Sequence, residues 1–329
     1  MKRLLDSPKK IVIVPHKNPD GDALGASLAL FLFLKAKDHK VNVVSPNDYP
    51  EFLKWLPGES EIIKFDQDNE KGKMLLSEAE LIFTLDFNDF SRTGEMEKFL
   101  QKSSAEFVMI DHHQQPSNYA RFTESDTAMS STSEMIYNFL EQLDQLSAVT
   151  PEMATCLYTG IMTDTGSFRF PSTSSQTHKV IAFLMERGAK NAEIYQQVYD
   201  TNSLDSLHLL GVALMNIRVL KEYRAAYISL SQEELDAHNY KKGDTEGFVN
   251  YILSLKNIIF AVIFIENKQE GIIKMSLRSK GDFDVNRIAR KYYHGGGHRN
   301  AAGGKSLDNM EKTIKKFVNM LSEYENELL

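Results

Sequence analysis

The heptapeptide HKNPDGD at residues 16–22 places His16, Asp20 and Asp22 directly behind the apolar run Ile11 to Pro15. Donors of the same kind recur along the chain. Asp86 closes Leu81 to Leu85, and Asp111, His112 and His113 close Phe107 to Ile110. Asp164 follows a helical run that ends at Met162. Imidazole and carboxylate without thiolate suit divalent manganese, and also magnesium or cobalt, better than a structural zinc site. Two such ions sharing a carboxylate lower the pKa of a bridging water and clamp both oxygens of an in-line displacement. Hydrolysis of a phosphoester uses this inventory most directly. Each segment alone reads more simply as a turn, a helix N-cap or an exposed loop. Their joint recurrence in four segments carries the metal reading.

A second chemical signal lies in HGGGHRNAAGG. Gly295, Gly296 and Gly297 let backbone N–H groups come close to an anion, forming a nest. Three glycines after a helix also read as a C-cap and turn. His298, Asn300, Gly303 and Gly304 add weight to the anion site. Arg278, behind Ile272 to Leu277, reads from its position as an exposed strand-end charge or as a substrate contact. Tyr292 and Tyr293 offer rings for stacking or for packing a helix face.

Strands and helices must hold these groups. Ile11 to Pro15, Val41 to Ser45, Leu81 to Leu85 and Phe107 to Ile110 read as strands. Ala23 to Lys37, Ser133 to Leu146, Pro151 to Met162 and Ser175 to Arg187 read as helices. This alternation predicts an α/β domain, a mostly parallel sheet flanked by helices, with ligands gathered at the carboxyl ends of its strands. Residues 191 to 216 read as a polar helical connector. Beyond it, Arg224 to Leu230, Ile258 to Glu266 and Ile272 to Arg278 alternate like antiparallel strands. Helical patterns near Ser231 to Ala237, Gly247 to Leu253, Asp284 to Tyr293 and from Asp308 complete a smaller α+β domain with a mixed sheet. The expected division is 1–190 for the catalytic domain, 191–218 for the linker and 219–329 for the substrate domain.

Composition narrows the function classes. A chain of 329 residues with 42% hydrophobic and 25% charged residues is ordinary for a globular protein of two domains. Its formal charge of -7 supplies no global field for holding long duplex nucleic acid. A nucleic-acid substrate should therefore be short and bound in a local pocket. Cys156 is the only cysteine, so an intrachain disulfide and a thiolate zinc cage are excluded, and a buried core thiol is expected. The N-terminal apolar run is too short for a signal peptide, and no stretch reaches membrane-span length. A cytoplasmic setting without membrane partners fits these features. His39, His178, His208 and His238 lack ligand-like neighbours.

The quoted motifs resemble those of a known family. HKNPDGDALGAS, TLDFNDFSRTG around Asp86, DHH at 111–113 and TDTGSF at 163–168 resemble the four motifs of the DHH phosphoesterase superfamily. GGGHRNAAGG resembles the signature of its DHHA1 domain. Length and layout are similar to the branch of bifunctional nanoRNases and pAp phosphatases. The resemblance implies two metal ions, with His16 and Asp20 on one and Asp22, His112 and Asp164 on the other. Asp86 would bridge them. It further implies that His113 faces the scissile phosphate and that Asp111 orients an imidazole. Arg92, in SRTG, would reach a phosphate oxygen pair, although by itself it reads equally as a surface ion pair. Arg278, His298 and the loop backbone would grip the remote phosphate. Implied substrates are very short RNA, linear dinucleotides and 3′-phosphoadenosine 5′-phosphate (pAp). A RecJ-like single-strand DNA exonuclease and a catalytically silent nucleotide-binding regulator are the alternatives. The oligomeric state, monomer or homodimer, stays open.

Overall fold

The computed structural model describes residues 4–328. The chain divides into two compact units, Met1–Thr201 and Asn202–Leu329. In the first, β1 (Lys10–Pro15), β2 (Lys40–Ser45), β3 (Ile63–Lys64), β4 (Leu81–Leu85), β5 (Glu106–Asp111) and β6 (Phe122–Ser125) form one sheet. Their order is β3-β2-β1-β4-β5-β6, and every pairing is parallel. Its helices are α1 (Gly21–Lys35), α2 (Asn69–Glu78), α3 (Glu97–Leu100), α4 (Thr132–Gln142), α5 (Pro151–Asp164), α6 (Ser175–Glu186) and α7 (Asn191–Tyr199).

Strand side chains alternate between faces, so continuous apolar runs feed two cores. Ile11, Ile13, Phe83, Val108 and Ile110 join one core with α1, α4 and α5. Val12, Val14, Ile82 and Phe107 join the other with α2. Helix α1 is buried almost all round, which explains its lack of a polar face. It meets α5 at glycine: a Cβ on Gly25 would lie 2.5 Å from the Cys156 carbonyl oxygen. Cys156 is fully buried, as expected.

Element ends differ from the sequence reading for local reasons. Helix α1 begins at Gly21, because Asp20 caps it, and ends at Lys35, ahead of left-handed Asp38. Helix α4 stops at Gln142, because Asp144 adopts φ 58° and turns the chain back. The short edge strands β3 and β6 were not anticipated.

The second unit contains α8 (Leu204–Met215), β7 (Arg218–Leu220), β8 (Ala225–Leu230), α9 (Gln232–Ala237), α10 (Phe248–Leu253), β9 (Phe260–Asn267) and β10 (Ile272–Ser279). α11 (Val285–Tyr292), β11 (Gly296–Gly297), β12 (Ala301–Ser306), α12 (Met310–Leu321) and α13 (Glu325–Leu328) follow. The strand order is β11-β12-β10-β9-β8-β7. The sheet is mixed, as expected; the reading of its individual strands as antiparallel fails at one pairing, since β8 and β9 run parallel. The crossover through α9 and α10 is long enough to return the chain in the same direction. HGGGHRNAAGG is likewise a hairpin, β11 on β12, rather than a free loop. Tyr293 is fully buried in this unit's core, which settles its role as packing.

Candidate metal centre and glycine hairpin

The carboxyl ends of β1, β4 and β5 bring their donors to one place. His16 follows β1 and Asp86 follows β4, with His16 Nε2 3.4 Å from Asp86 Oδ2. Asp20 Oδ2 lies 3.8 Å from the same nitrogen. On the other side, His112 Nε2 lies 3.4 Å from Asp86 Oδ1, 3.6 Å from Asp164 Oδ2 and 3.8 Å from Asp22 Oδ2. These gaps exceed the roughly 2.7–3.2 Å of a direct N–H···O bond. They suit donors ranged about a cation. His16, Asp20 and Asp86 form one such group and Asp22, His112 and Asp164 another, with Asp86 contacting both.

The imidazoles are preset. Nδ1 of His16 donates to the Lys17 carbonyl at 2.9 Å, and Nδ1 of His112 to the Met129 carbonyl at 3.2 Å. Each bond leaves Nε2 facing the carboxylates, the nitrogen that would offer its lone pair to a cation once its proton is lost. His113 is held by Asp111, whose Oδ1 lies 2.7 Å from its Nδ1. Asp111 is wholly buried, and its Oδ2 has no partner among the described residues. Asp20 has a double part: its Oδ1 caps α1 through the N–H groups of Asp22 and Ala23, while Oδ2 faces His16. Asp86 adopts φ 64°, a left-handed conformation costly for an aspartate.

Without cations, the charges are frustrated. Burial would lower the pKa of His16, but the neighbouring Asp20 and Asp86 carboxylates push it up to about 10. Burial raises Asp22 well above the usual carboxylate range, and the Asp86 and Asp164 charges add to this. Burial pushes Asp164 up to about 6 against the pull of His112. Burial works against ionising Asp86 too, yet His112 and His16 hold it well below the usual value. A concentration of buried carboxylates relieved only by protons is what bound cations would relieve better.

Sequence reasoning missed the segment that braces this cluster. At the start of α4, the N–H groups of Thr132 and Ser133 donate to Asp22 Oδ2 at 2.6 Å and Oδ1 at 2.8 Å. The Thr132 hydroxyl donates to Asp86 Oδ1 at 3.0 Å. Ser131 caps the helix by accepting from the Glu134 N–H, an N-cap readable from the Ser131 to Glu134 spacing. Gly160 of α5 allows the approach, because a Cβ there would meet Ser133 Oγ at 1.9 Å and Asp22 Oδ1 at 2.9 Å. Arg92 sits half-buried in a 3-10 stretch, Phe90–Met96, and its carbonyl accepts the Lys17 N–H at 2.7 Å.

In the second unit, Arg278 on β10 stands opposite Ala301 on β12, beside the turn that carries His298. His298 N–H donates to the Ala301 carbonyl at 2.7 Å. The Asn300 amide is engaged in the fold, donating to Ser279 Oγ at 2.8 Å and the Gly281 carbonyl at 2.9 Å. The three glycines differ. A Cβ on Gly295 would lie 2.0 Å from the Gly303 carbonyl oxygen, and one on Gly297 2.5 Å from that of Ala301. Gly296 is sterically free, with Asn286 Oδ1 at 3.7 Å and Arg290 Nε at 3.9 Å as the nearest atoms. Packing does not demand glycine there, whereas close approach by a ligand would. Arg290, which sequence reasoning passed over, is exposed and anchored by Asn286 Oδ1 at 3.2 Å.

The family model described as DHH family, N-terminal domain, matches residues 10–161, and that of the DHHA1 domain matches residues 223–327. The bifunctional oligoribonuclease and PAP phosphatase NrnA of Thermus thermophilus is 32% identical over 302 residues, spanning 91% of this chain and 85% of that protein. Its namesake in Bacillus subtilis is 28% identical over 318 residues, spanning 96% of each. An exopolyphosphatase-related protein of Bacteroides fragilis superposes with a TM-score of 0.94 at 42% identity, covering 99% of this chain and 95% of that one. Among the described residues, no helix is long and apolar enough to cross a membrane.

Proposed function

The chain belongs to the DHH family and carries a DHHA1 domain, and on that footing we propose that it hydrolyses very short RNA to mononucleotides and pAp to AMP. The names of its relatives in Thermus thermophilus and Bacillus subtilis support this substrate pair. The observation that carries the reading is the division of one carboxylate, with His16 on Asp86 Oδ2 and His112 on Asp86 Oδ1. We assign His16 and Asp20 to one divalent ion, Asp22, His112 and Asp164 to a second, and Asp86 to both. Manganese best suits this oxygen and imidazole donor set. When bound, such a pair supplies an activated water and charge neutralisation at phosphorus.

The chain's own groups do the rest. Asp111 holds Nδ1 of His113, so Nε2 is left for the substrate, where it stabilises phosphate charge or protonates the leaving oxygen. Arg92 serves as a phosphate contact. In the second unit, Arg278, His298, the N–H groups at Gly295, Gly296 and Gly297, and Arg290 grip a phosphate remote from the cleavage point; Asn300 fixes the turn. Gripping one phosphate while the other reacts converts binding into orientation. A cytoplasmic setting, where short RNA fragments and pAp arise, completes the proposal.

Incubating the protein with a 5′-phosphorylated diadenosine dinucleotide and with pAp, with and without manganese, tests it. Mononucleotide and phosphate release, both dependent on the metal, are expected. Hydrolysis of long single-stranded DNA in preference to both would replace this reading with an exonuclease of the RecJ kind. Tight binding without turnover would indicate a regulator.

A further inference from the structure

Against an acidic chain of net charge -7, helix α12 of the second unit carries a local cluster of lysines. A groove of about 420 Å³ between α11 and α12 is lined by Tyr292, Lys312, Lys315, Lys316 and Glu323, among others. Lys312, Lys315 and Lys316 fall at i, i+3 and i+4 on α12, which places their ammonium groups along one helix face. All three lysines are exposed.

The single carboxylate is already engaged. Glu323 accepts from Lys291 at 3.0 Å and from the Tyr292 hydroxyl at 2.6 Å. Lys316 donates to the Tyr292 carbonyl at 2.7 Å, a neutral acceptor that leaves its charge uncompensated. Among the described residues, neither Lys312 nor Lys315 has an ion-pair partner. The groove thus combines unneutralised ammonium groups with the ring of Tyr292, the pairing that suits a single-stranded nucleic acid. Tyr292 also lies close to the hairpin along the chain. Tyr292 and Gly295 are three peptide links apart, so their Cα atoms lie within about 11 Å.

We propose that this groove binds the backbone phosphates of RNA that extends beyond the nucleotides held at the glycine hairpin. The inference rests on the reading of short RNA as substrate and adds how that substrate's length is sensed. Dinucleotides and pAp end at the hairpin; longer strands continue along α12.

Binding of labelled two- and six-nucleotide RNA to the full chain, with EDTA present to stop hydrolysis, tests the proposal. Lys312→Gln/Lys315→Gln should weaken six-nucleotide binding roughly three- to tenfold. It should also flatten the log–log salt dependence by about 1.4, at about 0.7 per lost phosphate contact. Dinucleotide binding and manganese-dependent pAp turnover should stay at the parental level, and Lys312→Arg/Lys315→Arg should restore the parental six-nucleotide affinity. Unchanged six-nucleotide binding in the glutamine variant would overturn the proposal. Displacement of that RNA by a polyglutamate peptide as effectively as by unlabelled RNA would overturn it in favour of an acidic protein partner. A parent that binds the six-nucleotide strand but hydrolyses neither dinucleotide nor pAp would instead remove the proposed function.

Discussion

Asp22 Oδ2 accepts the backbone N–H of Thr132 at 2.6 Å across 110 positions of sequence. The start of α4 therefore aims one of the cluster's carboxylates, while the Thr132 hydroxyl aims a second, Asp86. Thr132→Val keeps the N–H but loses the hydroxyl. A fall in manganese affinity of about 10- to 100-fold is expected, with Thr132→Ser restoring it. Calorimetric titration of the metal measures this, and parental affinity in the valine variant would show that the hydroxyl does no aiming.

Asp86 contacts both donor groups. Asp86→Ala should lower dinucleotide and pAp turnover together by about 10³-fold or more, a loss of ~4 kcal/mol of transition-state stabilisation. Loss of only one of the two activities would mean that they do not share this centre.

Asp111 holds His113 at 2.7 Å, and on the proposed roles Asp111→Asn should separate chemistry from metal loading. Turnover should fall about 10- to 100-fold, and elemental analysis should find the parental metal content. A proportionate loss of metal would make Asp111 a ligand or a folding residue instead.

On the proposed ligand assignment, protons and cations compete for the cluster. The His16 pKa rises from 6.5 to about 10 in the metal-free fold, after the carboxylates overcome burial. Its pairing therefore stabilises that fold fully below pH 6.5, and the contribution fades as pH climbs towards about 10. Metal loading must displace this proton, so apparent manganese affinity should rise between about pH 6 and about pH 8, with proton release. Calorimetry in buffers of different ionisation enthalpy detects the release; loading without it would contradict the charge assignment.

The hairpin glycines should respond differently. Gly295→Ala must displace the Gly303 carbonyl and should lower Tm, whereas Gly296→Ala fits its surroundings. For the latter, an unchanged Tm with a raised KM is expected, together with a raised KM in Arg290→Ala. Parental KM in both variants would remove the phosphate grip from this side of the hairpin.

What could be read from the chain follows physical range. Donors behind β1, β4 and β5 were legible because each follows a continuous apolar run, and the end of such a strand predicts where a side chain emerges. The capping pattern of Ser131 and Glu134 marks a helix start, but nothing local says that its N–H groups meet Asp22. Arg290 looked like any helix-surface charge until the hairpin placed Gly296 beside it. The parallel pairing of β8 with β9 was illegible because alternation reports burial, not strand direction. The edge strands β3 and β6 are too short to carry a periodic signal.

The central claim is that Asp86 joins two cation sites in one phosphoesterase centre. Metal-stripped protein titrated with manganese, with bound ions per chain and dinucleotide hydrolysis followed together, tests it most directly. Two ions per chain are expected, with turnover appearing as the second site fills. Full turnover with one ion bound, or with none, would contradict the account.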